Sequence, residues 1–332
     1  MLNYIIRRVL IMIPTIILIS MISFIVIELP PGDLASSFVG RLLAAEELTP
    51  GPEAEQMVLE MRARYGLDQP LPVRYVKWAV RFLRGDWGFS FFWNKPVRDL
   101  IMGRIGLTVL ITFVTMILSS SITWPIGIGA ALRQYSLFDN VFSFVAFFMM
   151  AIPRFLFALV LMYLAYEWFD FAPGGLFSPK FIGVPWSFAK FLDFLAHLWI
   201  PLFILTFGSI GGGVRTIRAN LLDQLRLPFV TTARAKGVPE GRLIVKYPLR
   251  MAANPFISSI GWMLPGLISG EVMIALVIGI PTIGPLMLEG LINQDMLLAG
   301  AIIMILSTLT VIGTLISDLL LALLDPRIRL AE

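Results

Sequence analysis

Six stretches of the chain are sparsely charged and long enough to cross lipid: residues 9–29, 105–132, 141–169, 195–214, 255–280 and 296–324. A helix rising about 1.5 Å per residue needs about 20 apolar residues to span roughly 30 Å of hydrocarbon. The runs are continuously apolar, without the alternation over about ten residues that marks a barrel strand, so they predict helices. Between the first two runs, residues 30–104 carry a different pattern. "PEAEQMVLEMRARYG" (52–66) has apolar residues at helical spacing with Gly66 as a stop, and "RYVKWAVRFLRG" (74–85) repeats that spacing. "GDWGFSFFW" (85–93) follows; its aromatics fit an interfacial belt or a partner contact. The pattern predicts an all-α polytopic membrane protein with six transmembrane helices and a small helical domain between spans 1 and 2.

Composition agrees. The chain is 58% apolar and 14% charged, against about 25% charged in soluble domains. With no cysteine there is no disulfide framework, thiolate metal site or Cys nucleophile, and the single His197 leaves little for a His-based metal cluster or a Ser-His triad. No metal or catalytic residue is expected. The opening segment resembles a signal peptide, with Arg7 and Arg8 before an apolar run. That run exceeds the usual hydrophobic core of about 7–15 residues, and no small-residue cleavage site follows, so it is expected to stay as span 1.

The net charge of +4 does not call for nucleic acid, because the basic residues flank the spans. With the N-terminus inside, the inner short segments hold Arg7, Arg8, Arg133, Arg215, Arg218, Arg226, Arg234, Lys236, Arg242, Lys246, Arg250, Arg327 and Arg329, against Lys180 and Lys190 outside. Both termini are therefore expected in the cytoplasm, with 30–104 outside. The expected division is 1–29 (N-terminus and span 1), 30–104 (extracytoplasmic domain) and 105–332 (a five-span core).

The inner segment 231–250, "TTARAKGVPEGRLIVKYPLR", is compact and basic. Pro228 suits the first turn of a helix, Phe229–Lys236 makes two turns, and Gly237 is a left-handed stop. Pro239 starts a second short helix with Glu240 at its N-terminal dipole, and Pro248 ends it. Neither piece is stable alone in water, so each should pack on something. The segment reads as a headgroup-binding loop, a regulatory interface, or a docking element that transmits force. The last fits a detail that the first leaves unexplained, a glycine fixed between two short helices, which a lipid-binding loop does not need.

"TTARAKG…KYPL" resembles the EAA-type loop of permease subunits in binding-protein-dependent ABC importers, closest to the first permease of the peptide/oligopeptide (and nickel) class. "MLNYIIRRVLIMIPT…PPGD" is similar to that family's opening, "YGLDQPLPVRYVKW" and "GDWGFSF…NKPV" to its outer domain, "AIPRFLFAL" to its third span and "LDPRIRL" to its tail. The resemblance implies the type I ABC importer permease architecture in a bacterial or archaeal cytoplasmic (inner) membrane. It implies as partners a second homologous permease, two ATPase subunits that hold ATP and Mg, and an extracytoplasmic substrate-binding protein, besides membrane lipid. This chain would carry no cofactor, and it contains no G-x-x-x-x-G-K-[ST] phosphate loop.

Within the implied coupling loop (219–250), Thr231, Thr232, Ala233 and Gly237 fall on the EAA-x-x-x-G positions. Tyr247 and Leu249 fall on the distal apolar ones. Phe229, Arg234, Ala235 and Lys236 complete the ATPase-coupling set. Thr231 stands where the general loop has an acid. "IPTIGPLMLEG" (280–290) resembles the family's re-entrant outer loop, with Thr282 and Pro285 departing from it.

Two charges fall inside apolar runs. Arg154 is near the middle of the third, where an unpaired Arg costs about 2.5–3.5 kcal/mol, and Glu271 is inside the fifth. Either they line a substrate path, or they are a buried pair or snorkelling side chains. Pro125, Pro153, Pro201 and Pro265 and the Gly211–Gly213 triplet interrupt spans and suit kinks and close helix approach. His197, next to the fourth span, reads as interfacial. The functional expectation is import of short peptides, with oligosaccharide or nickel cargo as the alternative. A secondary transporter or an intramembrane enzyme is more distant.

Overall fold

The computed structural model describes residues 2–29, 34–44, 46, 48–90, 92–169 and 174–324, with side chains omitted at a few of these, 262–270 among them. The "PPGD" stretch, Arg327 and Arg329 lie outside the described residues, as does the side chain of Pro265.

Helices dominate. In chain order they are α1 (Leu2–Glu28), α2 (Leu34–Ala44), α3 (Pro52–Tyr65), α4 (Leu71–Leu83), α5 (Val97–Leu132), α6 (Leu137–Ala151), α7 (Arg154–Phe169), α8 (Phe188–Leu225), α9 (Pro228–Ala235), α10 (Glu240–Lys246), α11 (Pro248–Ala252), α12 (Asn254–Ile278), α13 (Ile283–Ile292) and α14 (Met296–Leu324). Two-residue antiparallel strands, β1 (Phe89–Ser90) and β2 (Lys95–Pro96), pair Phe89 with Pro96. Among the described residues four helices are long and apolar enough to cross a membrane: Tyr4–Glu28, Val97–Leu132, Phe188–Leu225 and Met296–Leu324. Two bent pairs, Leu137–Ala151 with Arg154–Phe169 and Glu271–Ile278 with Ile283–Ile292, raise the number to six if each is one span.

Three expectations need correction. The third apolar run is not one helix: α6 and α7 meet at 97°. Pro153 lacks an N–H and disfavours helical backbone at the residue before it, and Ile152 is accordingly extended (φ −84°, ψ 125°). Arg154 is thus the first residue of a helix, not the middle of one. The fourth run extends far beyond 195–214: the 38 residues of α8 come to about 57 Å. It outruns the hydrocarbon and carries Arg215 and Arg218 on its shaft. His197, expected at an interface, is buried in α8 at 2% exposure, its Nδ1 2.7 Å from the Asp193 carbonyl oxygen.

The chain divides into two compact units. The first comprises residues 1–8, 107–284 and 310–332. Its core joins Ile111 of α5, Ala158 and Ala165 of α7, Ile200, Ile204 and Leu205 of α8, and Ile274, Ala275 and Ile278 of α12. The glycine triplet serves close approach. A Cβ on Gly211 would lie 2.5 Å from the Ala146 carbonyl oxygen of α6, and one on Gly213 would lie 2.6 Å from Thr123 of α5, while Gly212 faces open space. Arg8 pairs with Asp318 at 3.2 Å, tying the first turns of α1 to α14.

The second unit comprises residues 9–106 and 285–309 and contains α2, α3, α4 and the strand pair. Gly66 stops α3 in the left-handed conformation (φ 65°). Trp78 of α4 packs with Phe24 of α1 and Met304 of α14. Ser90 is fully buried and hydrogen-bonds the Asp295 carboxylate, which also accepts from Leu298 N at 3.3 Å at the start of α14. The aromatic stretch is therefore partly internal: Trp87 stacks on Phe82 at 5.4 Å.

Substituting Gly211→Val should push α6 from α8 and cost about 1–3 kcal/mol, read as a lowered melting temperature in detergent. Gly212→Ala, which meets nothing within 4 Å, should leave it unchanged.

Candidate functional site

The basic segment folds by local rules. Leu227 is extended (φ −76°, ψ 149°) and Pro228 opens α9, where its missing N–H is no loss. Lys236 caps the helix and Gly237 follows at φ +76°. Gly237 N donates to the Arg234 carbonyl at 3.0 Å and Val238 N to the Ala233 carbonyl at 3.3 Å. This is the two-bond Schellman stop, and the apolar contact that goes with it is present between Val238 and Ala233. A side chain at 237 would strain the left-handed backbone that reverses the chain. Pro239 then leads into α10. Arg234 and Glu240 close the turn with a two-pronged contact, Nε–Oε2 at 3.1 Å and Nη2–Oε1 at 2.5 Å. The Arg234 hydrogen bonds hold the Glu240 carboxyl below its usual range.

Ten residues were expected to act here, and the structure sorts them into two sets. Phe229, Thr231, Thr232, Arg234, Ala235, Lys236 and Gly237 are exposed. Ala233 is buried with Val230 and Leu243 in a small core that includes Tyr247. Leu249 packs into a second core with Leu221 and Leu225 of α8, Ala131 of α5 and Ala252 of α11. Ala233, Tyr247 and Leu249 therefore anchor the segment, and the exposed residues form its outward face.

Just before Leu221 on α8 is a pair that sequence reasoning missed. Arg218 donates from Nε to Asp139 Oδ1 at 2.5 Å and from Nη2 to Oδ2 at 2.7 Å. Asp139, in the first turn of α6, is 1% exposed and also accepts from Tyr135 N at 2.9 Å and the Ser143 hydroxyl at 3.3 Å. Ser136 caps the same helix by accepting from Asp139 N at 3.3 Å. The one available signal was "SLFD" before an apolar run, the Ser-x-x-acid pattern of a helix start. In the sequence Arg218 reads only as one of the inner-face basic residues that set orientation.

The two intramembrane charges are not brought together among the described residues. The guanidinium of Arg154 lies across Gly208 of α8, with Nη2 3.3 Å from its carbonyl oxygen, and a Cβ on Gly208 would meet Nε at 2.5 Å. Glu271 is 2% exposed, and its carboxylate faces the buried Thr282 hydroxyl without a hydrogen bond of standard geometry between them. Thr108 accepts from Ile283 N at 3.0 Å close by in the chain.

Comparison with known proteins bears on both parts of the chain. The family described as binding-protein-dependent transport system inner membrane component matches residues 123–330, and the N-terminal family of the same membrane components matches 1–112. The oligopeptide transport system permease protein AppB of Bacillus subtilis is 34% identical over 98% of each chain. The oligopeptide transport system permease protein OppB of Mycobacterium tuberculosis is 32% identical over 84% of this chain and 87% of its own. The peptidoglycan transport system permease protein YejB of Agrobacterium fabrum is 28% identical over 98% of this chain and 97% of its own.

Asp139→Ala removes the acceptor of four donors but leaves the Arg218 guanidinium, 26% exposed, within reach of water, so it should cost about 1.5–3 kcal/mol. The readout is thermal unfolding in detergent, with Glu240→Gln in the exposed pair producing no measurable shift.

Proposed function

Because the chain belongs to the inner-membrane components of binding-protein-dependent transport systems, we propose that it is a permease subunit of an ATP-driven importer of short peptides. The cargo reading draws on the oligopeptide permeases among its relatives. A binding protein on the outer side delivers the peptide. A second permease completes the path, and two partner subunits bind and hydrolyse ATP with Mg. Both termini and the loop 219–250 lie on the cytoplasmic side.

The observation that carries the coupling role is the exposed face of α9. A helix of eight residues, stopped by a left-handed glycine and rooted in two small cores, presents Phe229, Thr231, Thr232, Arg234, Ala235 and Lys236 outward. Force applied there passes inward through Val230, Ala233, Leu243 and Tyr247. It continues through Leu249 into Leu221 and Leu225 at the base of α8. Arg218 and Asp139 then tie α8 to α6. The two cores are joined by the short turn of chain from Tyr247 to Leu249, where Met251 N donates to the Tyr247 carbonyl, so displacement of α9 is passed on to α8 and α6.

Gly237→Val separates the stop from the rest of the loop. In proteoliposomes containing the whole complex, this variant should insert and assemble but hydrolyse ATP without importing peptide. Retention of normal import per ATP would remove the coupling role. Competition between peptides and oligosaccharides for the partner binding protein tests the cargo separately.

A further inference from the structure

Helix α4 has three faces where a surface helix in water needs two. One face carries Tyr75, Trp78, Ala79 and Phe82 and packs with Phe24 of α1. A second carries Val76, Val80 and Leu83, which are 57%, 40% and 86% exposed. A third carries Lys77, Arg81 and Arg84 at i, i+4 and i+7, all exposed. The apolar and basic stripes lie side by side, as in a helix resting in the interface between hydrocarbon and headgroups.

The position of α4 against α1 agrees. Arg74 pairs with Glu28, at the end of the span, at 2.6 Å. Tyr75 hydrogen-bonds Ser20 at 2.7 Å. Ser20 precedes Glu28 by eight residues, about 12 Å down the helix axis. The face of α4 opposite its core therefore continues the lipid-facing surface of the span, where Ile22 and Ile25 are 52% and 55% exposed. Between α4 and the end of α3 runs a groove of about 450 Å³ whose wall includes Gln69, Val76, Lys77, Val80, Arg81 and Arg84.

We propose that α4 lies in the headgroup layer on the side of the membrane that holds residues 34–96, and that its groove with α3 binds the phosphate of an anionic phospholipid. Lys77, Arg81 and Arg84 supply the charge, their stems lying along the groove while the heads reach the phosphate. Val76, Val80 and Leu83 rest on the first acyl carbons. The bound lipid fixes the depth of the small domain beside span 1. This assignment does not depend on which cargo the chain carries.

This chain has no cysteine, so with partner subunits made cysteine-free a single introduced cysteine carries the only spin label. With the whole complex in nanodiscs of phosphatidylcholine and phosphatidylglycerol, labels at Val76→Cys and Val80→Cys should be accessible to oxygen and shielded from a water-soluble nickel chelate. A label at Leu59→Cys on α3 should show the reverse. Native mass spectrometry should find phosphatidylglycerol retained, its binding falling about fivefold for each charge removed by Lys77→Gln, Arg81→Gln or Arg84→Gln. Arg81→Lys should retain it. Nickel-accessible labels at 76 and 80 would overturn the proposal. So would displacement of the lipid by equimolar inorganic phosphate. Burial of the labels by the extracytoplasmic binding protein, with lipid having no effect, would overturn it by giving this face to a protein partner.

Discussion

In hydrocarbon, each backbone N–H and C=O must find its partner inside the chain. The helices, their breaks and the placement of charge follow from that one constraint. In the two bent pairs the break is at a proline or a left-handed glycine, Pro153 and Gly279 (φ 79°), and is short. Close helix packing then falls to residues without side chains: Gly211 admits the Ala146 carbonyl of α6, and Gly208 admits the Arg154 guanidinium. The fold is a set of helices whose few irregular points are fixed by sequence.

Polar interactions are correspondingly few and concentrated. The Asp139 carboxylate is almost wholly enclosed and satisfied by four donors, two of them from Arg218. Such a pair adds little over an apolar contact of equal fit, but breaking it is expensive. Glu271 is the opposite case, a buried acid with only the Thr282 hydroxyl facing it. Arg154 is intermediate, held on one backbone carbonyl at the start of α7.

Features set by local chemistry were legible in the sequence. Pro228, Gly237 and Pro239 mark the ends of α9 and the start of α10 within one residue, because each acts on its own backbone. Gly66 did the same for α3. Family membership was legible from five motifs in order. Features that depend on distant residues were not. Asp139 and Arg218 are 79 residues apart, and neither stands out without the other. The split of the coupling residues into an outward face and an anchoring set needed the cores around Val230 and Leu221. Helix α2 was legible too, since Leu34, Phe38, Val39, Leu42 and Leu43 recur at helical spacing, whereas the two-residue strands have no period to detect. The break before Arg154 was signalled by Pro153, but hydropathy averaged over the run concealed it.

The central claim is mechanical: the exposed face of α9 is where a separate ATP-hydrolysing subunit takes hold. A single cysteine at Ala235, which is exposed, and another at Ala233, which is 8% exposed, test it in the assembled complex with a photoreactive cross-linker. Efficient cross-linking is expected from position 235 to the ATPase subunit, with a yield that changes when ATP binds, and little from position 233. Cross-links from 235 to lipid alone, or equal yields from both positions, would contradict it.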